Sequence, residues 1–295
     1  MTGKLNVSRI LFLVFNYLFF FVLVVVCLYP MWFVLVQSLS GTIRAGTALF
    51  VPNQFTLNNY FQVFQLKGLF GALGISVSRT VIGTCITVIC CMFMGYLFSK
   101  EAMPGRKILY RMLTVTMYVS GGLIPTYLVM KAYGFVGTFW IYILPPAMNA
   151  FYVILIKTFV EQLPASVEES AMIDGAGVLR IFTQIILPMT LPIVATIAVY
   201  ASVAQWNAWF DNLIYNAQVR ELSTMQYLLY QYLNETERLT RLLTESSAEL
   251  DPSFLLTPKG VRMTMTVVTV IPVLMIYPLL QRYFIKGIMI GAVKG

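Results

Sequence analysis

Six stretches of this chain are long and apolar enough to cross a lipid bilayer, at about 10–36, 73–98, 110–130, 138–158, 185–210 and 263–284. About 20 such residues in a helix cover the hydrocarbon layer. Inside lipid a segment must also pair its own backbone N–H and C=O groups, which a helix does. That constraint predicts an all-α membrane protein of six transmembrane helices, forming a single domain over residues 1–295. Charged residues make up 11% of the chain, against about 25% in soluble domains. Gly121, Gly122, Pro125, Pro145, Pro146, Pro188 and Pro192 fall within the stretches. They mark kinks or close crossings, because neighbouring helices and water can re-satisfy freed backbone groups.

The first apolar run, Ile10 to Val36, follows Lys4 and Arg9. It is too long for the core of a secretory signal, about 7–15 residues, so a retained first span is expected. Basic residues in the short loops set the direction of threading. With the N-terminus inside, Lys4 and Arg9, then Lys100, Arg106, Lys107 and Arg111, then Lys157 and Arg180, then Arg282, Lys286 and Lys294 all fall on the cytoplasmic side. Both termini and the polar segment 159–188 are therefore expected inside, and the long loop 212–262 outside. The net charge of +8 is then topological, with membrane lipid as neighbour and no nucleic-acid partner. Within the outer loop, Leu228, Leu229, Tyr232, Leu239, Leu242 and Leu243 recur at helical spacing among charges. This predicts one or two amphipathic helices over Thr224–Leu250.

Several chemistries are excluded. The chain has no His, which removes Ser-His and Cys-His catalysis and any histidine pH switch. Cys27, Cys85, Cys90 and Cys91 lie inside apolar runs without paired ligand spacing, predicting buried thiols between helices and no metal site. There is no Gly-x4-Gly-Lys-Ser/Thr phosphate loop, so ATP is not bound in the P-loop manner. The cores of the six stretches also lack Asp and Glu, the groups with which ion-coupled carriers handle protons and cations.

The segment between the fourth and fifth stretches has its own pattern. Pro164 suits a first helical turn, and Glu168 and Glu169 complement the positive end of a helix dipole. Gly175 supplies a left-handed stop, after which a new helix is expected from about Val178. By itself this describes a short cytoplasmic helix with a sharp exit, or an ordinary loop between spans.

The residues Glu169-Ser170-Ala171-Met172-Ile173-Asp174-Gly175, followed by Ile185-Ile186-Leu187-Pro188, resemble the cytoplasmic "EAA" loop of the membrane subunits of bacterial ATP-binding-cassette importers, with Ser170 in place of the first Ala. Leu163-Pro164, Ile173-Asp174-Gly175-Ala176, Val51 to Tyr60, Gln205-Trp206-Asn207 and the ending Gln281 to Gly295 are similar to the maltose-type, carbohydrate-importing branch. The Gly74-Ile75-Ser76-Val77-Ser78 stretch departs from it, since many relatives begin the second span with an Asn-Ser pair.

The resemblance implies a non-enzymatic transport subunit in a bacterial cytoplasmic membrane. Its partners would be a second, non-identical permease, an ATPase dimer that carries the ATP and Mg2+, and an extracellular sugar-binding protein. It further implies that Glu168, Glu169, Ser170, Ala171, Asp174, Gly175 and Ala176 couple the chain to the ATPase, and that the tail with Lys294 and Gly295 touches it. An importer of a non-sugar solute and an ion-coupled carrier are the competing functions.

Sugars are held by aromatic faces and amide hydrogen bonds. Gln205, Trp206, Asn207 and Trp209, with Asn149 and Tyr152, are therefore candidates for a substrate path. The Trp residues equally fit an interfacial belt or packing between subunits. Arg79, about two turns into the second stretch, must find a polar cavity, which makes it a further candidate for the substrate path, or snorkel outward.

Overall fold

The computed structural model describes residues 7–41, 50–245 and 260–275. Lys294, Gly295 and the part of the sixth stretch beyond Met275 lie outside the described residues. Helix α1 (Val7–Ser38) is followed by a short α2 (Asn58–Phe64) and by α3 (Leu69–Ser99). Among the described residues, α1 and α3 are the two unbroken helices long and apolar enough to span a membrane.

The next three apolar stretches are each interrupted, for reasons local to their sequence. The 110–130 stretch is not one helix but two, α4 (Arg106–Val115) and α5 (Leu123–Ala132). Between them Gly122 takes a φ of 83°, a left-handed value that other residues resist, and Pro125 has no N–H to donate. The 138–158 stretch runs through two 3-10 turns, Phe139–Tyr142 and Pro145–Ala147, into α6 (Ala150–Val160) with a bend of 44°. Pro145 and Pro146 break the helical ladder, and Asn149 restarts it by accepting hydrogen bonds from the N–H groups of Phe151 and Tyr152 at 3.0 and 3.3 Å.

After α7 (Ala165–Ile173) come α8 (Val178–Ile181), a π-helical stretch Phe182–Ile186 and α9 (Leu187–Met189). The chain then turns by 81° into α10 (Leu191–Asn207). Pro188 and Pro192 flank this bend, and the buried Thr190 hydroxyl donates to the carbonyls of Ile186 and Leu187 at 2.8 and 3.1 Å. Helix α11 (Phe210–Tyr215), a 3-10 turn Arg220–Leu222, α12 (Met225–Glu245) and α13 (Gly260–Met275) complete the described chain. Of the segment Thr224–Leu250, for which one or two amphipathic helices are expected, the described part forms one helix over Met225–Glu245, and residues 246–250 lie outside the described residues.

The structure divides into two compact units. Among the described residues, one takes 7–41, 50–67, 231–245 and 260–270. Here Asn59 closes the end of α1, its amide donating to the carbonyls of Ser38 and Ser40 at 3.0 and 3.1 Å. Tyr60 adds a 2.8 Å hydroxyl contact with Ser38. The stretch Val51 to Tyr60 therefore contains the cap that the orphan carbonyls of a long helix need.

The other unit, among the described residues Gly68–Tyr230 with 271–275, is built around α3, which packs most extensively on α10 and α6. Cys91, Met92, Tyr96, Ile156, Ile181 and Ile197 form its core. The thiols do not share one environment as expected. Cys91 is buried, where it receives the Asn149 N–H at 3.5 Å, whereas Cys27 and Cys85 are exposed on apolar helix faces; all four are free.

Two glycines let α3 approach its neighbours. A Cβ on Gly95 would lie 2.6 Å from Ile156 Cγ2, and one on Gly83 would lie 2.7 Å from Gln205 Nε2. Small residues at such crossings are how helices pack where lipid removes the hydrophobic drive. Gly95→Ala should therefore lower stability by about 1–3 kcal/mol through overpacking. Gly74→Ala, with nothing within 4 Å, should be neutral or slightly stabilising. Thermal unfolding of the purified protein in detergent checks the pair, and equal melting of the two variants would contradict the close-crossing account.

Candidate functional site

Helix α7 is closed as its sequence predicts. Gly175 has φ 78°, its N–H reaches the Met172 carbonyl, and the Ala176 N–H reaches the Ala171 carbonyl, each at 3.0 Å. This pair of bonds is the Schellman stop, which satisfies carbonyls a helix end would otherwise leave bare. Pro164 lies one residue earlier than the first turn, at the cap position with ψ 120°. The surface that results is mixed. Glu169, Ser170, Asp174 and Gly175 are exposed, as are Met172 (52%) and Ile173 (86%), with Val178 and Leu179 exposed just beyond. An exposed apolar edge beside carboxylates on a polar helix is suited to contact with another protein.

Glu168 does not join that surface. Its carboxylate accepts a hydrogen bond from the Tyr96 hydroxyl at 2.9 Å and forms an ion pair with Lys100, both at the end of α3. The Lys100 ammonium in turn lies 4.7 Å from the centre of the Tyr96 ring. From sequence alone Glu168 and Glu169 are equivalent; the structure turns the first inward and leaves the second exposed.

The second constellation surrounds Arg79. Its side chain is fully buried (1% exposed), so it does not snorkel. Nη2 and Nη1 donate to the two oxygens of Asp211 at 2.5 and 3.2 Å, Nε donates to Gln205 Oε1 at 3.2 Å, and Nη1 also donates to the Ala208 carbonyl at 3.2 Å. The guanidinium lies 4.5 Å from the centre of the Tyr142 ring. The cation thus caps the broken end of α10, where Ala208 turns to an extended ψ of 124°, and neutralises its carbonyls. Sequence reasoning missed Asp211 as the partner, which lies 132 positions away. The available signal was chemical: an intramembrane Arg demands an anion, and Asp211 is the acid at the edge of a span.

This clamp divides the Gln205–Trp209 cluster. Gln205 and Trp206 are buried, at 5% and 3% exposure, while Asn207 is exposed and accepts a 3.2 Å hydrogen bond from Gln226. Trp209 stacks on Tyr230 with centroids 4.2 Å apart. Gln226 and Tyr230 carried no sequence signal of their own. Just beyond, burial and then the charge of Asp211 push the Tyr215 phenol upward.

The loop after α11 is pinned by side chains. Asn216 accepts from Gly137 N–H at 2.9 Å and donates to the Thr138 carbonyl at 3.1 Å, and Asn212 accepts from Thr224 N–H at 2.8 Å. Asn149 uses its carbonyl oxygen to cap α6, and Tyr152 stacks on Tyr200 at 6.4 Å. Neither is brought to the Asn207–Trp209 group. Among the described residues no cluster of three His, Cys, Asp or Glu side chains is placed to hold a metal ion.

No protein-family model matches the chain. It is 34% identical over 285 residues to the polygalacturonan/rhamnogalacturonan transport system permease protein YtcP of Bacillus subtilis (strain 168), covering 96% of this chain and 97% of that one. Protein LplC of the same organism is 36% identical over 244 residues, covering 83% of this chain and 81% of LplC. A solved bacterial ABC transporter involved in the import of the acidic polysaccharide alginate contains a chain that superposes with a TM-score of 0.83 at 25% identity. The match covers 96% of this chain and all of that one.

Asp211→Ala would strand the buried guanidinium of Arg79 and should lower stability by about 3–5 kcal/mol. Adding Arg79→Met to it should recover part of the loss. Unfolding of the single and double variants in detergent tests the clamp. A fully additive pair of effects would show that the two residues do not depend on each other.

Proposed function

The chain belongs to the permease subunits of sugar and oligosaccharide ABC transport systems, and we propose that its helix α7 is where a separate ATPase drives it. The observation that carries this reading is the surface of α7: a short polar helix stopped at Gly175, with Glu169, Asp174, Met172 and Ile173 exposed, immediately before the bent path into α10. The absence of a phosphate loop from the sequence supports an energy source on another chain. The Glu169-to-Gly175 spacing and the Leu187-Pro188 bend lie where the resemblance to the EAA loop requires them.

In this reading the chain crosses the bacterial cytoplasmic membrane six times, with both termini and α7 in the cytoplasm. It pairs with a second, non-identical permease, an ATPase dimer that binds ATP and Mg2+, and an extracellular sugar-binding protein. The cargo is an oligosaccharide or polysaccharide fragment, as the names of the relatives suggest. ATP-driven closure of the ATPase dimer moves α7 and swings the path from inward- to outward-facing. Asn207, Trp209, Gln226 and Tyr230 offer amides and aromatic faces of the kind that recognise sugars, at the end of α10 away from α7. The set Glu169, Ser170, Asp174 and Gly175 meets the ATPase, while Ala171 and Ala176 serve the helix stop.

Gly175→Leu tests the reading. A left-handed residue with a side chain costs about 1–2 kcal/mol, which distorts the stop without disturbing the spans, since nothing lies within 4 Å of the missing Cβ. Uptake of the sugar carried by the cognate binding protein should fall at least tenfold while the permease still reaches the membrane. Gly175→Asn, which tolerates this backbone better, should be milder. Wild-type uptake by the leucine variant would refute the assignment.

A further inference from the structure

Within the second unit, α3 is the one described helix of membrane length without a break, and it contains no proline. Every other described apolar path there is interrupted. From α7, the covalent route into the spans passes the left-handed Gly175, then Gly177, the π-helical stretch Phe182–Ile186 and an 81° bend. A push along that route is spread over several soft joints.

The side-chain route is shorter. Glu168 joins α7 directly to Tyr96 and Lys100 at the end of α3. Its side chain is only 12% exposed and that of Lys100 25%, so the ion pair is shielded from water and stronger than a surface pair. Tyr96 is buried at 1% exposure, and its ring packs on Phe182 at 5.2 Å. The same helix, 17 positions earlier, carries Arg79, which grips Asp211, Gln205 and the Ala208 carbonyl. At about 1.5 Å per residue the two grips are roughly 25 Å apart along one rigid rod.

We propose that Glu168 is a positioning residue, not an ATPase contact: through Lys100 and Tyr96 it transmits movement of α7 to α3, and α3 delivers it through Arg79 to the broken end of α10. This rests on the reading of α7 as the helix an ATPase drives. It assigns the two neighbouring acids of α7 opposite tasks, Glu169 toward the partner and Glu168 toward the membrane unit. It also makes Tyr96 and Lys100 part of the transport cycle, although neither faces the ATPase or the sugar path.

The test uses the intact importer in nanodiscs, with Cys27, Cys85 and Cys90 replaced by Ser. Spin labels are placed at the exposed Val77→Cys on α3 and Leu191→Cys on α10, and MgATP with vanadate serves as the probe that traps the closed ATPase. In the otherwise wild-type importer the distance between labels should shift by several ångströms. In Lys100→Gln and Tyr96→Phe the ATPase should still co-purify and hydrolyse ATP at the wild-type basal rate, but the shift should fall by half or more. Lys100→Arg should restore it, as should the exchange of Lys100→Glu with Glu168→Lys. An undiminished shift in both variants, or no shift in the parent, overturns the proposal. Loss of the ATPase from Lys100→Gln also overturns it, because that residue would then be a docking contact. The reading of α7 fails separately if Ile173→Asp retains both the ATPase and the shift.

Discussion

The close approach of α3 to α10 and α6 is the contact on which the larger unit depends. It exists because two positions on α3 have no side chain: Gly83 makes room for Gln205, and Gly95 for Ile156. In lipid the helices gain little from hiding apolar surface from one another, so association rests on fit and on polar contacts in dry surroundings. With the backbones close, Arg79 can reach Asp211 and the Ala208 carbonyl, and Tyr96 can meet both Phe182 and Glu168.

A second constraint is local to the neighbouring helices. The helices around α3 are bent or broken, and each break needs local compensation. Asn149 supplies it before α6, Thr190 at the bend into α10, and Arg79 beyond Asn207. Polar residues that the sequence offers as sugar contacts turn out in part to be the devices that keep irregular backbone tolerable in a membrane. Asn149, which caps α6 directly, is the clearest case; Gln205 acts at one remove, accepting from the Arg79 guanidinium that holds the Ala208 carbonyl, whereas Asn207 is exposed and Trp209 partly so.

The sequence made α7 legible to within a residue, because its start, its acids and its left-handed stop are local and each has a strong chemical preference. The extents of α1 and α3 were readable from apolar length to within about four residues, since each helix runs beyond its apolar stretch at both ends. The interruptions in the 110–130, 138–158 and 185–210 stretches were visible only as glycines and prolines. Whether such residues kink a helix or end it depends on neighbours that a sequence does not display. Pairings at long separation were hidden for the same reason. The Arg79–Asp211 clamp and the inward turn of Glu168 follow from three-dimensional proximity, although the demand of a buried Arg for an anion was present in the chain from the start. The exposed state of Cys27 and Cys85 shows the limit of equating an apolar neighbourhood with a packed interior when the surroundings are lipid.

The central claim is that α7 lies in the cytoplasm and presents its exposed edge to an ATPase. The most direct test is site-specific cross-linking and labelling at Ile173→Cys, the most exposed apolar position of α7 at 86%, with Tyr133→Cys beyond the end of α5 as the opposite-side control. In whole cells a membrane-impermeant thiol reagent should label Tyr133→Cys and not Ile173→Cys, and a short cross-linker should join Ile173→Cys to the co-expressed ATPase. Labelling of Ile173→Cys from outside, with no product joined to the ATPase, would contradict the account.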